Sequence, residues 1–97
     1  MITSFGDERT RDLFHAYPSR RVKQLDARLA RATVRKLDML NAAHSLEDLR
    51  SPPGNRLEAL RGTLAGRYSI RVNQQWRLLF RWLRCDCADV QLVDYHN

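Results

Sequence analysis

"RYSIRVNQQWRLLFRW", residues 67–82, carries two apolar alternations on either side of Asn73-Gln74-Gln75. Tyr68, Ile70 and Val72 form the apolar set of the first run, and Trp76, Leu78, Phe80 and Trp82 that of the second. A period of two marks a half-buried strand, so the stretch predicts an antiparallel hairpin. Its register follows from requiring both sets to face one side. A two-residue loop would pair Val72 with Gln75 and throw the sets onto opposite faces. A three-residue loop at 73–75 pairs Val72 with Trp76, Ile70 with Leu78 and Tyr68 with Phe80, which is the consistent choice. On the other face the same register sets Arg71 opposite Arg77 and Arg67 opposite Arg81. Like charges directly across a ladder cost stability. Two readings stand: a solvated basic face with splayed stems, or a face on which an anion normally sits.

Outward from the hairpin, "RLEALR" (56–61) and "ADVQLVDY" (88–95) read as further strands, set off by residues 62–66 and 84–87. Upstream, residues 2–5 read as a short strand. Asp7 is placed to cap a helix carrying Leu13, Phe14 and Tyr17 before Pro18 stops it. From Val22 to Ala43 the residues Val22, Leu25, Leu29, Ala32, Leu37 and Leu40 follow helical spacing, while Arg28, Arg31 and Arg35 share another face. Ser45 and Asp48 predict a capped turn of helix, and Ser51-Pro52-Pro53-Gly54-Asn55 a break. The expected fold is α+β: one domain over residues 1–97, with an N-terminal strand and helices packed on a twisted antiparallel sheet.

Seventeen Lys and Arg against eleven Asp and Glu give a formal charge of +6, and fifteen of the seventeen are arginine. The planar guanidinium fork suits phosphate, so the composition favours anionic partners. No stretch approaches the roughly 18 apolar residues of a membrane span. The first eight residues lack a basic and an apolar region, so a cytoplasmic location without a membrane partner is expected. Cys85 and Cys87, separated by Asp86 alone, read as reduced thiols in a turn. His15, His44 and His96 show no metal-ligand spacing, no nucleotide loop or nucleophile signature occurs, and no cofactor is expected. Trp76 and Trp82 belong to the inward set and read as core.

RNA can be cut by attack of its own 2′-hydroxyl, which needs neither a metal nor a protein nucleophile. The reaction needs a base, an acid, and cations to hold the charge that grows on the phosphorane. Arg71, Arg77 and Arg61 could supply cations; Glu58, Asp94 and His96 are the proton-transfer groups, and Tyr95 could stack on a base. His96 could equally be a frayed surface histidine.

"SPPGNRLEALRGTLAGRYSIRVNQQWRLLFRW" followed by "VQLVDYH" resembles the toxins of type II toxin–antitoxin modules in the RelE/ParE superfamily, specifically the HigB group or plasmid-maintenance killer proteins. The resemblance spans residues 1–97 and is strongest over 51–96. It implies a ribosome-dependent endoribonuclease, an mRNA interferase that cuts messenger RNA in the decoding site. The implied partners are the ribosome and its mRNA, and a helix-turn-helix, HigA-like antitoxin through which the complex binds operator DNA. The resemblance places catalysis on Arg77, Asp94, Tyr95 and His96 and a basic contact on Arg61; Arg67, Arg71 and Arg81 join it as expected RNA contacts. Several members of the family carry histidine followed by proline where this chain has Glu58-Ala59. Two alternatives remain: a non-catalytic ParE-like gyrase binder, or a regulatory partner that only holds nucleic acid.

Overall fold

The computed structural model of the chain describes residues 1–95. Three helices, α1 (Glu8–Phe14), α2 (Arg20–Lys23) and α3 (Ala27–Ala42), precede a sheet of β1 (Glu58–Ala59), β2 (Arg67–Arg71), β3 (Trp76–Leu83) and β4 (Asp86–Asp94). The sheet is antiparallel in the order β1-β2-β3-β4, so the fold is α+β as expected. The hairpin register is the one that the apolar sets demanded: Tyr68 pairs with Phe80, Ile70 with Leu78, Arg71 with Arg77 and Arg67 with Arg81. Ile70, Leu78 and Phe80 are fully buried against Leu13, Leu37 and Leu40 of the helices. Trp76 and Trp82 are half-buried at the margin of this core.

Four boundaries depart from the sequence reading, each for a local reason. The long helix expected from Val22 is two: Ser19 caps α2 through the Val22 N–H at 3.4 Å, and Asp26 caps α3 through the Arg28 N–H at 3.3 Å. A side-chain acceptor at Asp26 starts a new helix and ends the old one. The first helix stops at Phe14, because Ala16 turns left-handed (φ 56°) and the Tyr17 N–H closes back on the Asp12 carbonyl, leaving Tyr17 exposed. The strand expected over 56–61 shrinks to Glu58–Ala59, bracketed by positive φ at Arg56 (44°) and Gly62 (65°). The last strand begins earlier, at Asp86, so Cys87 lies in β4 and only Cys85 sits in the turn.

The last strand also holds an irregularity that alternation does not reveal. Between Leu79 and Arg81 the register slips by one, so that Asp89 (φ 52°) and Val90 together face Phe80. This bulge lets both Cys87 and Val90 point into the core although three positions separate them. The expected N-terminal strand lies parallel to β4 through bridges at Ile2–Cys87 and Phe5–Val90. It grips the bulge, with the Asp89 N–H donating to Ser4 Oγ at 2.8 Å and the Gly6 N–H to the Val90 carbonyl at 2.8 Å. A Cβ at Gly6 would lie 3.1 Å from Gln91 Cβ and 3.2 Å from the Asp89 carbonyl oxygen, so a larger residue would push the two segments apart by a few tenths of an ångström. Beyond Gly6 the β4 edge is closed by α1: Thr10 Oγ1 accepts the Leu92 N–H at 2.9 Å and Arg9 donates to the Leu92 carbonyl at 3.1 Å.

The two thiols fall in opposite environments. Cys85 is exposed, whereas Cys87 is fully buried and burial pushes its pKa up to about 11. An alkylating reagent at pH 8 should therefore add once per folded chain, at Cys85, and a second time only after denaturation, as mass spectrometry of the adducts will show.

Candidate active site on the outer sheet face

The face of the sheet turned away from the helices carries Ser69, Arg77 and Leu79, all buried, amid a rim of charged side chains. Arg77 stands on the interior strand β3 and is 7% exposed. Its Nε donates to Ser69 Oγ at 2.8 Å, and Nη2 donates to the Arg56 carbonyl and, at 3.4 Å, to the Ser69 carbonyl. Glu58 Oε1 lies 3.8 Å from Nη2. Strand pairing brings these groups together: Glu58 sits opposite Ser69 on β2, one step from the Arg71–Arg77 pair. Burial lowers the pKa of Arg77 below its ordinary value, while the negative charge of Glu58 and the Tyr95 phenol act to raise it. The cation is desolvated but compensated by two carbonyls, a hydroxyl and a carboxylate.

Tyr95 follows β4 and completes the cluster. Its ring lies 5.6 Å from the guanidinium carbon of Arg77, a cation–π contact, and its N–H bonds to the Gln75 carbonyl at 2.6 Å. The Tyr95 ring stays 39% exposed and Glu58 is also exposed, so the cluster opens to solvent on their side. Asp94 is different. It pairs with Trp76, and residues directly opposite in a ladder share a face, so its side chain projects to the helix side, away from Arg77. There its Oδ2 accepts from Gln75 Nε2 at 3.0 Å, which ties the hairpin loop to the end of β4. His96 lies outside the described residues.

The remaining arginines of this face are placed apart from the cluster. Arg81 pairs with Asp89 Oδ2 at 3.0 Å, and Arg67 also acts on that carboxylate; hydrogen bonding from Arg81 leads the lowering of the Asp89 pKa. An anion from the chain itself therefore lies at the Arg67–Arg81 crossing. Arg71 turns toward the loop, where its Nε donates to the Asn73 carbonyl at 3.0 Å, and so diverges from Arg77. Arg61 is exposed on the loop after β1. Sequence reading passed over Ser69 and the Arg56 carbonyl; the pairing of Arg77 with Ser69's strand is the signal that could have found Ser69.

The sequence model of the family described as "RelE-like toxin of type II toxin-antitoxin system HigB" matches residues 3–96. The chain belongs to this toxin family. Among relatives, it is similar to Toxin HigB-1 of Vibrio cholerae serotype O1, 48% identical over 64 residues, which are 66% of this chain and 67% of that protein. It is also similar to a protein of Haemophilus influenzae that bears the name "Uncharacterized protein", 44% identical over 59 residues, 61% of this chain and 58% of that one. As a type II toxin, it has an antitoxin for a partner.

Removing the Ser69 hydroxyl leaves the buried Nε–H of Arg77 without its acceptor. Ser69→Ala should lower stability by about 1–3 kcal/mol, more than its one lost oxygen would cost on the surface, as a shift in the urea midpoint at unchanged slope.

Proposed function

We propose that this toxin is a ribosome-dependent endoribonuclease that cuts messenger RNA in the decoding site. The observation that carries the reading is the cluster of Glu58, Arg77 and Tyr95 on one sheet face, in a chain of this family. In the proposed reaction a base removes the 2′ proton and the 2′ oxygen attacks the adjacent phosphorus. The bond from phosphorus to the 5′ oxygen then breaks, leaving a 2′,3′-cyclic phosphate, and an acid protonates the departing 5′ oxygen. Arg77 faces the developing charge; a cation already fixed and desolvated stabilises it without reorganising. Glu58, exposed and next to Arg77, serves as base, and His96 as the partner acid, a role that rests on its residue type and on the family resemblance. Tyr95 offers its exposed ring for stacking on the nucleotide being cut.

Asp94 serves here as a positioning group, through its bond to Gln75, from which Tyr95 hangs by its N–H. Arg61, Arg67, Arg71 and Arg81 follow the RNA backbone by charge and give no base reading. Sequence choice then falls to the ribosome, which presents the codon. Cleavage should be efficient on translating ribosomes and weak on naked RNA. In single turnovers on programmed ribosomes, Arg77→Ala and His96→Ala should each be about 100-fold to 1000-fold slower while still binding. Wild-type rates for both would refute the catalytic assignment and favour a non-catalytic binder.

The antitoxin is proposed to be a helix-turn-helix, HigA-like protein that carries the operator DNA contacts and lays an acidic segment on α3. Arg28, Arg31 and Arg35 are exposed there, and a groove of about 360 Å³ lies between Arg31, Arg35, Ala30 and Val34. Charge reversal at the three arginines should weaken the complex and flatten its salt dependence, as calorimetric titration at two ionic strengths would register; unchanged affinity rules the surface out.

A further inference from the structure

One buried polar side chain links the site to the helical layer. Asn55 is fully buried, and its amide is engaged at both ends. Nδ2 donates to the Leu49 carbonyl at 3.1 Å and the Ser51 carbonyl at 3.3 Å, and Oδ1 accepts from Lys36 Nζ on α3. Because the Asn55 side chain is fully buried, losing its partners leaves a buried amide with unmade hydrogen bonds. The Asn55 N–H also closes the turn onto the Pro52 carbonyl at 2.9 Å. Burial first, and the neighbouring charge of Arg35 second, lower the pKa of Lys36, as expected for an ammonium drawn against the loop.

The residue that follows is where the clamp meets the site. Arg56 is held left-handed at φ 44° and ψ 57°, a conformation that a residue with a Cβ keeps only when its surroundings over-determine it. That conformation aims the Arg56 carbonyl at Nη2 of Arg77. Two residues on, Glu58 meets the same nitrogen at 3.8 Å. Of these two acceptors outside the hairpin, the Arg56 carbonyl follows directly from the clamped turn, while Glu58 is held also by its pairing opposite Ser69.

We infer that Asn55, clamped by Lys36, is a positioning residue for Arg77 and Glu58. Its consequence for cleavage rests on the reaction proposed above; its consequence for the geometry of Arg77 does not. Releasing the clamp lets the loop leave the left-handed turn, and Arg77 loses the carbonyl that holds Nη2 and the fixed approach of Glu58 that follows it. Misplacing a reacting group by about 1 Å can cost about 100-fold in rate.

The test uses the full chain and reads Arg77 directly. In ¹H–¹⁵N spectra the Nε–H of Arg77 should exchange slowly in the wild type, because it is buried and bonded to Ser69. Asn55→Ala and Lys36→Met remove no partner of Nε, but freeing Nη2 lets the guanidinium swing on its bond to Ser69, so this resonance should shift and exchange about tenfold faster. The amides of Leu78, Phe80 and Val90 should keep their protection, and Lys36→Arg, which retains a donor, should restore the wild-type signal. On ribosomes the first two variants should lose about 100-fold in kcat without a matching change in KM. If Asn55→Ala does not fold, Lys36→Met decides alone. An unshifted, protected Nε–H in a folded variant overturns the positioning role whether or not the chain cuts RNA. Faster exchange with wild-type cleavage overturns its part in the reaction. A wild type that never cuts RNA sinks the ribonuclease reading and leaves the resonance to judge the clamp.

Discussion

A guanidinium 7% exposed in the middle of a sheet is tolerated only where fixed dipoles and an opposite charge replace the water it has lost. Arg77 obtains these from three separate pieces of chain: the Ser69 hydroxyl and carbonyl on β2, the Arg56 carbonyl before β1, and the Glu58 carboxylate on β1. The demand shapes its surroundings. The first strand shortens to two residues because the chain arrives in a left-handed turn that aims a carbonyl at the cation. Tyr95 is drawn to the same group from the far side of β3, so the end of the last strand is docked through a ring and a charge.

The sheet keeps its two faces distinct with few devices. On the inner face a bulge at Asp89 holds Cys87 and Val90 in the core, and the N-terminal segment seals that edge by pairing with β4. On the outer face the same Asp89 meets Arg81 and Arg67, so the residue that bends the strand also tempers one of the two arginine crossings. The other crossing is relieved by divergence, Arg71 toward the loop and Arg77 toward β1. The outer face is therefore uneven: compensated near the bulge, and open beside Glu58 and Tyr95.

Glu58 is the one carboxylate that meets Arg77 among the described residues. Its carboxylate brings a full negative charge to within 3.8 Å of the buried cation. The same group can thus balance Arg77 at rest and take a proton during the proposed reaction, two tasks that ask for different surroundings. Its exposure suits the second task, and its seat opposite Ser69 suits the first.

The alternation of Tyr68, Ile70 and Val72 with Trp76, Leu78 and Phe80 was enough to set the hairpin register, because a slip by one would have turned an entire apolar set to water. From that register the arginine crossings followed, as did the α+β class. The caps at Asp7 and Ser45 were equally legible, since each needs only a side-chain acceptor three residues from its N–H. The cap at Asp26 is as local, two residues from the Arg28 N–H, but the apolar spacing that runs on from Val22 masked it; the bulge at Asp89 and the left-handed Arg56 were not legible, because each is held by partners distant in sequence. The site divides in the same way. Residue types and order singled out Arg77, Glu58 and Tyr95 no more than Arg61, Arg71, Asp94 and His96; strand pairing gathered the first three and placed Asp94 on the opposite face, and tertiary structure alone buried Arg77 and tied its loop to α3 through Asn55. A sequence records which groups can carry charge or protons; where that charge is desolvated depends on which backbone carbonyls the fold turns toward it.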